Sequence, residues 1–329
     1  MKQGFSLKKV FQKQWIAVAI GNILLFVILA VSQPAFLQMT NIMNILSQCS
    51  LYGIMSVGMT FVISTGGIDI SVGMTAFFTM TLIWRLSGFL PTWLIFIIAI
   101  AFGCIIGLCN GFMAAVLNFP DMIATLASMS ILRGAGYLLI GSAQKFVPDS
   151  LRVIGVSRIG IVPVPMIIML VIAVIGAFIM NNTRFGRYVL AVGGNKNSAV
   201  FSGLNVVKIR MGAYALCGTC AAIGGLVYAG RVGSISPNSC SGYEFTVITA
   251  VVLGGTKMSG GKSSVAGSVL GCVFLYLIEN AMTMLNISSY YQTLARALLM
   301  LFAISIDTFT AYRNDIAVRK ERRRRFLQY

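Results

Sequence analysis

The sequence predicts an all-α fold: a polytopic bundle of about ten membrane-spanning helices, with both termini on the cytoplasmic side. Three observations carry that reading. Of the 329 residues, 57% are apolar and only 10% charged, whereas a soluble domain carries roughly 25% charged residues. Mean hydropathy is +0.88. The 25 Lys+Arg residues outnumber the 8 Asp+Glu residues, for a net charge of +17, and they stand in islands between apolar runs. That arrangement reads as membrane topology and contact with anionic lipid, and not as a nucleic-acid surface. The chain has no histidine, which removes Ser-His-Asp and Cys-His catalysis and HExxH metal sites together.

A spanning helix needs roughly 20 apolar residues, fewer where it is broken or re-entrant. Ten segments meet this description: 16–32, 45–64, 72–86, 93–115, 122–140, 163–180, 209–229, 244–255, 265–283 and 290–309. The first reads as a retained span, because Ser32-Gln33-Pro34 makes a poor cleavage site. A cytoplasmic N-terminus (1–15, with Lys2, Lys8, Lys9 and Lys13) places the 310–329 tail inside as well. The 184–208 loop and the 256–264 turn then also face inward. Eighteen of the 25 basic residues lie inside in this orientation, and about five (Arg85, Lys145, Arg152, Arg158, Arg231) lie outside, as the positive-inside bias requires. The whole of 1–329 reads as a single transmembrane domain.

Within the spans, Gly103, Gly107 and Gly111 recur every fourth residue, and Gly267 and Gly271 repeat the spacing. Small residues so placed let helix backbones approach closely in lipid. Six of the seven cysteines lie inside apolar runs, Cys240 alone falling in a loop. The Cys217/Cys220 pair lacks a second ligand pair, so packing accounts for it better than a disulfide or a cluster. No cofactor and no metal site is expected.

Two segments echo one another, 57–78 (VGMTFVISTGGIDISVGMTAFF) and 248–270 (ITAVVLGGTKMSGGKSSVAGSVL). Each breaks an apolar run with a Gly-Gly pair and a short polar stretch. Gly66-Gly67 aligns with Gly254-Gly255, and both segments enter from outside, which makes the repeat parallel. Glycine-broken spans in corresponding halves point to a transport pathway, so Ser64, Gly66, Gly67, Asp69, Gly254, Gly255, Thr256 and Lys257 are its candidate residues. Two tight turns without transport function would give the same pattern. Asp69 is expected either to cap the helix beginning near Ile70 or to serve in gating. Lys257 stands at the aligned position and is a candidate partner for it. Of the other ionisable residues in apolar runs (Arg133, Glu279, Arg296 and Asp307), Glu279 and Arg296 flank a short turn and are expected to pair.

The run GGTKMSGGKS is not a phosphate-binding loop. Counting back from Gly261-Lys262-Ser263, the pattern needs glycine at position 256, where threonine stands. If transport here is driven by ATP, the ATPase must be another chain.

Five blocks carry a family resemblance: GIDISVG (67–73), IATLASMSILRG (123–134), FGRYVLAVGGNKNSAVFSGLNV (185–206), SGYEFTVITAVVLGGTKMSGGK (241–262) and NISSYYQ (286–292). In order along the whole chain, they resemble the membrane permeases of ribose-type ABC importers, whose relatives serve xylose, galactose and autoinducer-2. The resemblance implies a pore subunit of a bacterial inner-membrane monosaccharide importer. Its partners would be a cytoplasmic ABC ATPase subunit, an external sugar-binding protein and a second permease chain. It also implies that the loop between the sixth and seventh spans holds the ATPase-coupling helix, here Asn195, Lys196, Asn197, Ser198, Ala199, Val200, Phe201 and Gly203. Asn195 is a good N-cap and Gly203 a good C′ residue. Lys196 replaces a common acid, Lys257 a common serine and Asp121 a common alanine, which leaves charge complementarity with the ATPase open. An ion-coupled secondary transporter is the alternative, though it would need membrane carboxylates that are scarce here.

Overall fold

The structure is a computed structural model that describes residues 14–326. Thirteen α-helices appear among the described residues, beside four two-residue strands and one 3₁₀ turn. Each of the ten expected segments contains a helix, but not all ten are long enough to span. Eight helices are long and apolar enough to cross a membrane: α1 (Gln14–Ser32), α2 (Met39–Ser64), α4 (Thr92–Ala115), α5 (Asp121–Ile140), α7 (Val164–Asn182), α10 (Val206–Val232), α12 (Val265–Met284) and α13 (Ser289–Phe326). Two apolar helices are shorter, α3 (Val72–Leu86) and α11 (Tyr243–Leu253). Helix α13 does not stop at residue 309; it continues to Phe326, through most of the segment expected as a tail. The basic residues Lys2, Lys8, Lys9 and Lys13 lie outside the described residues.

Three further helices do not span: α6 (Asp149–Val156), α8 (Arg184–Gly194) and α9 (Lys196–Phe201). The strands form two small antiparallel pairs, β1 (Lys145–Phe146) with β4 (Ser234–Ile235), and β2 (Arg158–Ile159) with β3 (Val162–Pro163).

Helices α2 and α10 form the centre. The interior of α2 is buried on every side from Leu51 to Ser64, and α10 packs against α2, α3, α4 and α6. An all-round apolar helix belongs in a core or in a membrane, and burial on every side marks α2 as core. The glycine spacing does what the sequence foretold. A Cβ at Gly111 would stand 2.8 Å from the Met211 Cα, and Gly103 and Gly107 meet the α10 backbone at Gly218 and Tyr214. Gly267 and Gly271 likewise sit against the α11 backbone at Gly254 and Ala250. All seven cysteines are free.

The expected Glu279–Arg296 pair is not formed. Among the described residues the ion pairs are Arg152–Asp149 and Arg210–Asp121. Helix packing accords with this: α13 leans mainly on α11 and touches α12 less. Arg296 instead lines a cavity of about 440 Å³ between α11 and α13.

Candidate functional site

Both breaks begin with one local device. At the end of α2, Gly66 has φ +82°; its N–H donates to the Ile63 carbonyl (2.9 Å), and the Gly67 N–H donates to that of Val62 (3.2 Å). At the end of α11, Gly255 has φ +94°; its N–H donates to the Val252 carbonyl (2.9 Å), and the Thr256 N–H donates to that of Val251 (3.2 Å). These are two Schellman stops, in which a left-handed residue closes the helix and satisfies its last carbonyls. The two breaks therefore share a local stop, in which Gly66 matches Gly255 and not Gly254. The corrected register sets Asp69 opposite Met258, one residue beyond Lys257.

After the stop the first break turns back into the bundle. Asp69 is 1% exposed, and its Oδ1 accepts from the Ser71 N–H (2.9 Å), the Ser71 hydroxyl (2.6 Å) and the Asn110 amide (3.5 Å). Asn110, from α4, also donates to Ser71 Oγ (2.8 Å) and accepts from the Ser128 hydroxyl of α5. Thr125 Oγ1 accepts from the Ile70 N–H (3.2 Å), and the Tyr214 hydroxyl donates to the Ile68 carbonyl (3.3 Å). Neighbouring helices thus satisfy an irregular stretch of polar backbone that lipid could not. Asp69 serves the backbone just ahead of α3, which begins at Val72. Its partners are Ser71 and Asn110, and the expected approach to Lys257 is absent. Asn110 escaped the sequence reading, although an amide inside the apolar run 93–115 was its signal.

The second break turns outward and closes on itself. The Lys257 N–H donates to the Lys262 carbonyl (3.2 Å), and the Gly260 N–H donates to the Lys257 carbonyl (3.0 Å). Thr256 Oγ1 accepts from the Ser264 N–H (3.1 Å), and Asp307 of α13 accepts from the Met258 N–H (3.1 Å). Asp307, noted in the sequence only as an isolated acid, thereby holds this turn.

The two breaks meet. The Gly261 N–H donates to the Ser64 carbonyl (3.0 Å). Gly193, at the end of α8, lies against both: a Cβ there would collide with Ser64 O and stand 2.5 Å from the Gly261 nitrogen. Beside this junction a cavity of about 570 Å³ is lined by Thr65, Gly66, Asp121, Val192, Lys196 and Arg210, among others. Arg210 Nη2 donates to both oxygens of Asp121 (2.6 Å each), and Nη1 donates to the Ala114 carbonyl (3.0 Å). That pair fastens the start of α10 to the start of α5 and explains the charge at position 121.

Helix α9 comes immediately after α8 and is capped as its sequence foretold. Asn195 Oδ1 accepts from the Ser198 N–H (2.9 Å). At the other end Gly203 has φ +76°; its N–H donates to the Val200 carbonyl (2.9 Å) and the Leu204 N–H to that of Ala199 (3.1 Å), a third Schellman stop. The apolar residues do not share one face. Ala199 is 4% exposed, whereas Phe201 is 91% exposed and Val200 53%. Lys196, Asn197 and Ser198 are exposed with them. Among the described residues no group of three His, Cys, Asp or Glu side chains is placed to hold a metal ion.

The comparisons agree with this architecture. The family described as "Branched-chain amino acid transport system / permease component" matches residues 41–304. The ribose import permease protein of Escherichia coli (strain K12) is 35% identical over 314 residues, covering 93% of this chain and 98% of its own length. That of Bacillus subtilis (strain 168) is 33% identical, covering 88% and 91%. The xylose transport system permease protein of Haemophilus influenzae is 31% identical, covering 92% and 98%. No solved structure matches. A bundle of eight long and two short apolar helices, matched nearly end to end by import permeases, belongs to the branched-chain amino acid transport system / permease component family and is a multi-pass bacterial membrane permease of the ABC kind.

Proposed function

We propose that this chain is the pore subunit of an ATP-driven importer of a ribose-like monosaccharide. Two permease chains would form the pathway, an external binding protein would deliver the sugar, and a separate cytoplasmic ATPase would dock on α9. The family description names amino acids, but relatives at 31–36% identity include permeases named for ribose, xylose and arabinose, beside one named only as a probable ABC transporter permease. The sugar class rests on them.

The observation that carries the docking site is α9 itself. It is a six-residue helix capped at both ends and packed on α8, and it presents Phe201 almost fully to solvent. No residue between 184 and 210 is acidic, and Arg184, Arg187, Lys196 and Lys208 are all outside the core. An exposed aromatic in a stretch of sequence with exposed cations and no acids fits an apolar pocket with an acidic rim on a protein partner. ATP hydrolysis belongs to that partner, since the chain lacks a phosphate-binding loop.

The test is uptake of radiolabelled ribose, xylose and arabinose by vesicles that hold the permease, its ATPase and its binding protein. Transport of at least one sugar, dependent on ATP and indifferent to sodium and proton gradients, is expected. Phe201→Ala should weaken ATPase capture at least about tenfold while leaving insertion intact, because an aromatic anchor contributes roughly 2 kcal/mol or more. Uptake driven by an ion gradient without ATP would overturn the reading.

A further inference from the structure

Gly193, Gly260 and Gly261 lie outside the polar network around Asp69 and outside the caps of α9, yet they join the two breaks, backbone to backbone, with the helix that leads into α9. Three chain segments converge there. The Gly261 N–H is bonded to the Ser64 carbonyl at the last turn of α2. A Cβ on Gly260 would stand 2.8 Å from the Gly66 nitrogen and 2.9 Å from the Gly193 Cα. A Cβ on Gly261 would stand 2.8 Å from the Gly194 Cα. Gly260 and Gly261 both have positive φ, +83° and +76°, so other residues would be strained there before any collision. The nearest atoms at these positions are backbone, which cannot give way as a side chain can.

The chain distance from this junction to α9 is also minimal. Asn195 ends α8 and caps α9 at once: its N–H donates to the Ala191 carbonyl (3.1 Å), while its Oδ1 accepts from Ser198. Gly193 stands two residues before that shared cap. A rigid helix end clamped between two backbones has little room to deform, so a displacement of α9 reaches both breaks in one step.

We infer that Gly193, with Gly260 and Gly261, is a positioning element through which α9 moves both glycine breaks together, and that its lack of side chains is what makes the coupling stiff. The inference rests on the docking of the ATPase at α9. It assigns the transmission to a backbone contact rather than to the charged residues beside it.

The structure supplies an internal control. Gly194 is adjacent in sequence, yet nothing lies within 4 Å of a Cβ built on it. Helix α8 tolerates alanine at its end, so Gly194→Ala should behave as the parent. Gly193→Ala must push the Ser64 carbonyl and Gly261 away.

The readout is the accessibility of the second break, reported by maleimide labelling of a Ser259→Cys reporter. Ser259 is exposed and its carbonyl lies beside Gly66. Labelling of the parent cysteines is subtracted. In the permease–ATPase complex, trapping with ATP and vanadate should change the reporter's labelling rate. Gly193→Ala should keep ATPase capture and ATP turnover but shrink that nucleotide response by between about 2- and 30-fold. Gly194→Ala should retain it. A merely structural role would not separate capture from response.

Hydrogen exchange on the unmodified complex covers the case in which Gly193→Ala does not fold. Amides at 65–67 and 259–261 should change protection together on trapping, alongside 195–203. An unchanged response in Gly193→Ala, an equal loss in Gly194→Ala, or protection confined to 195–203 would each overturn the inference. If the ATPase leaves 195–203 unprotected altogether, the docking site itself is wrong and the inference falls with it, a result distinguishable from the others.

Discussion

The two breaks open with the same device and then part company. Each helix ends in a Schellman stop on a glycine, Gly66 in one and Gly255 in the other. Beyond the stop, residues 67–71 climb into the bundle, and neighbouring helices answer their polar groups through Asn110, Thr125, Ser128 and Tyr214, with Asp69 at the centre. Residues 256–264 instead fold on themselves, held by Thr256, Asp307 and their own backbone. The residues after the glycines, rather than the glycines themselves, decide whether a break becomes a buried re-entrant segment or a surface hairpin. A buried polar segment is also the costlier one to disturb, and this sets the order of the expected effects.

The largest effect is at Asp69. Replacement by alanine removes the acceptor for the Ser71 N–H and the Ser71 hydroxyl, both buried, while the Asn110 amide keeps Ser71 Oγ. Orphaned buried donors cost about 1–3 kcal/mol each, so Asp69→Ala should lose roughly 3 kcal/mol or more of stability. Asp69→Asn keeps an acceptor oxygen and should lose markedly less. Thermal unfolding in detergent measures both, and equal small shifts would end the distinction between the two breaks.

Next comes the Asp121–Arg210 clamp beside the first break. Its side chains are 17% and 10% exposed. Asp121→Ala strands a guanidinium that keeps only the Ala114 carbonyl, for a loss of about 2 kcal/mol, somewhat below a fully buried pair. Adding Arg210→Met should recover most of it. A double variant no more stable than the single one would show that the arginine matters through other contacts.

The same contrast explains how far the molecule was legible in its sequence. Apolar run length located ten helices, eight of them long enough to cross, because lipid forces helix on any crossing segment. The caps of α9 were legible too, since Asn195 and Gly203 act within one turn of their own positions. The register of the repeat was off by one because the glycine pair aligned by letter, whereas the stop depends on which glycine takes positive φ. The roles of Asn110, Asp307 and Gly193 were not found. Each acts on a partner distant in sequence, such as Asp69, Met258 and Ser64; an amide in an apolar run marks Asn110 as unusual, but no local pattern names its partner. The Glu279–Arg296 pairing failed for a like reason: equal distance from a turn sets depth, but not whether two helices lean together.

A smaller effect tests whether the two stops are equivalent. Gly66→Ala and Gly255→Ala each force a non-glycine residue into a left-handed conformation, at about 1–2 kcal/mol. A Cβ at Gly66 would make only ordinary contact, 3.5 Å from the Ser259 carbonyl oxygen, so the strain is mainly local. Matching destabilisation at the two positions is expected by thermal unfolding. A cost at one and none at the other would break the repeat.

The smallest expected effect is at Lys257, and it decides between two registers. Under the sequence alignment Lys257 stands opposite Asp69, and the two charges would pair across the pathway. In the structure Asp69 turns away, toward Ser71 and Asn110, and the turn is fixed by the backbone of Lys257 through Lys262 and Gly260. Backbone bonds of this kind survive a change of side chain. Lys257→Ser should therefore stay within about 0.5 kcal/mol of the parent in stability, with ATPase capture unchanged. The exchange Asp69→Lys with Lys257→Asp should be no better than Asp69→Lys alone, because the lysine placed at 69 would face the Asn110 and Ser71 donors with a donor of its own. Recovery of stability or uptake in the exchanged chain would restore the pairing and overturn the register set by Gly66 and Gly255.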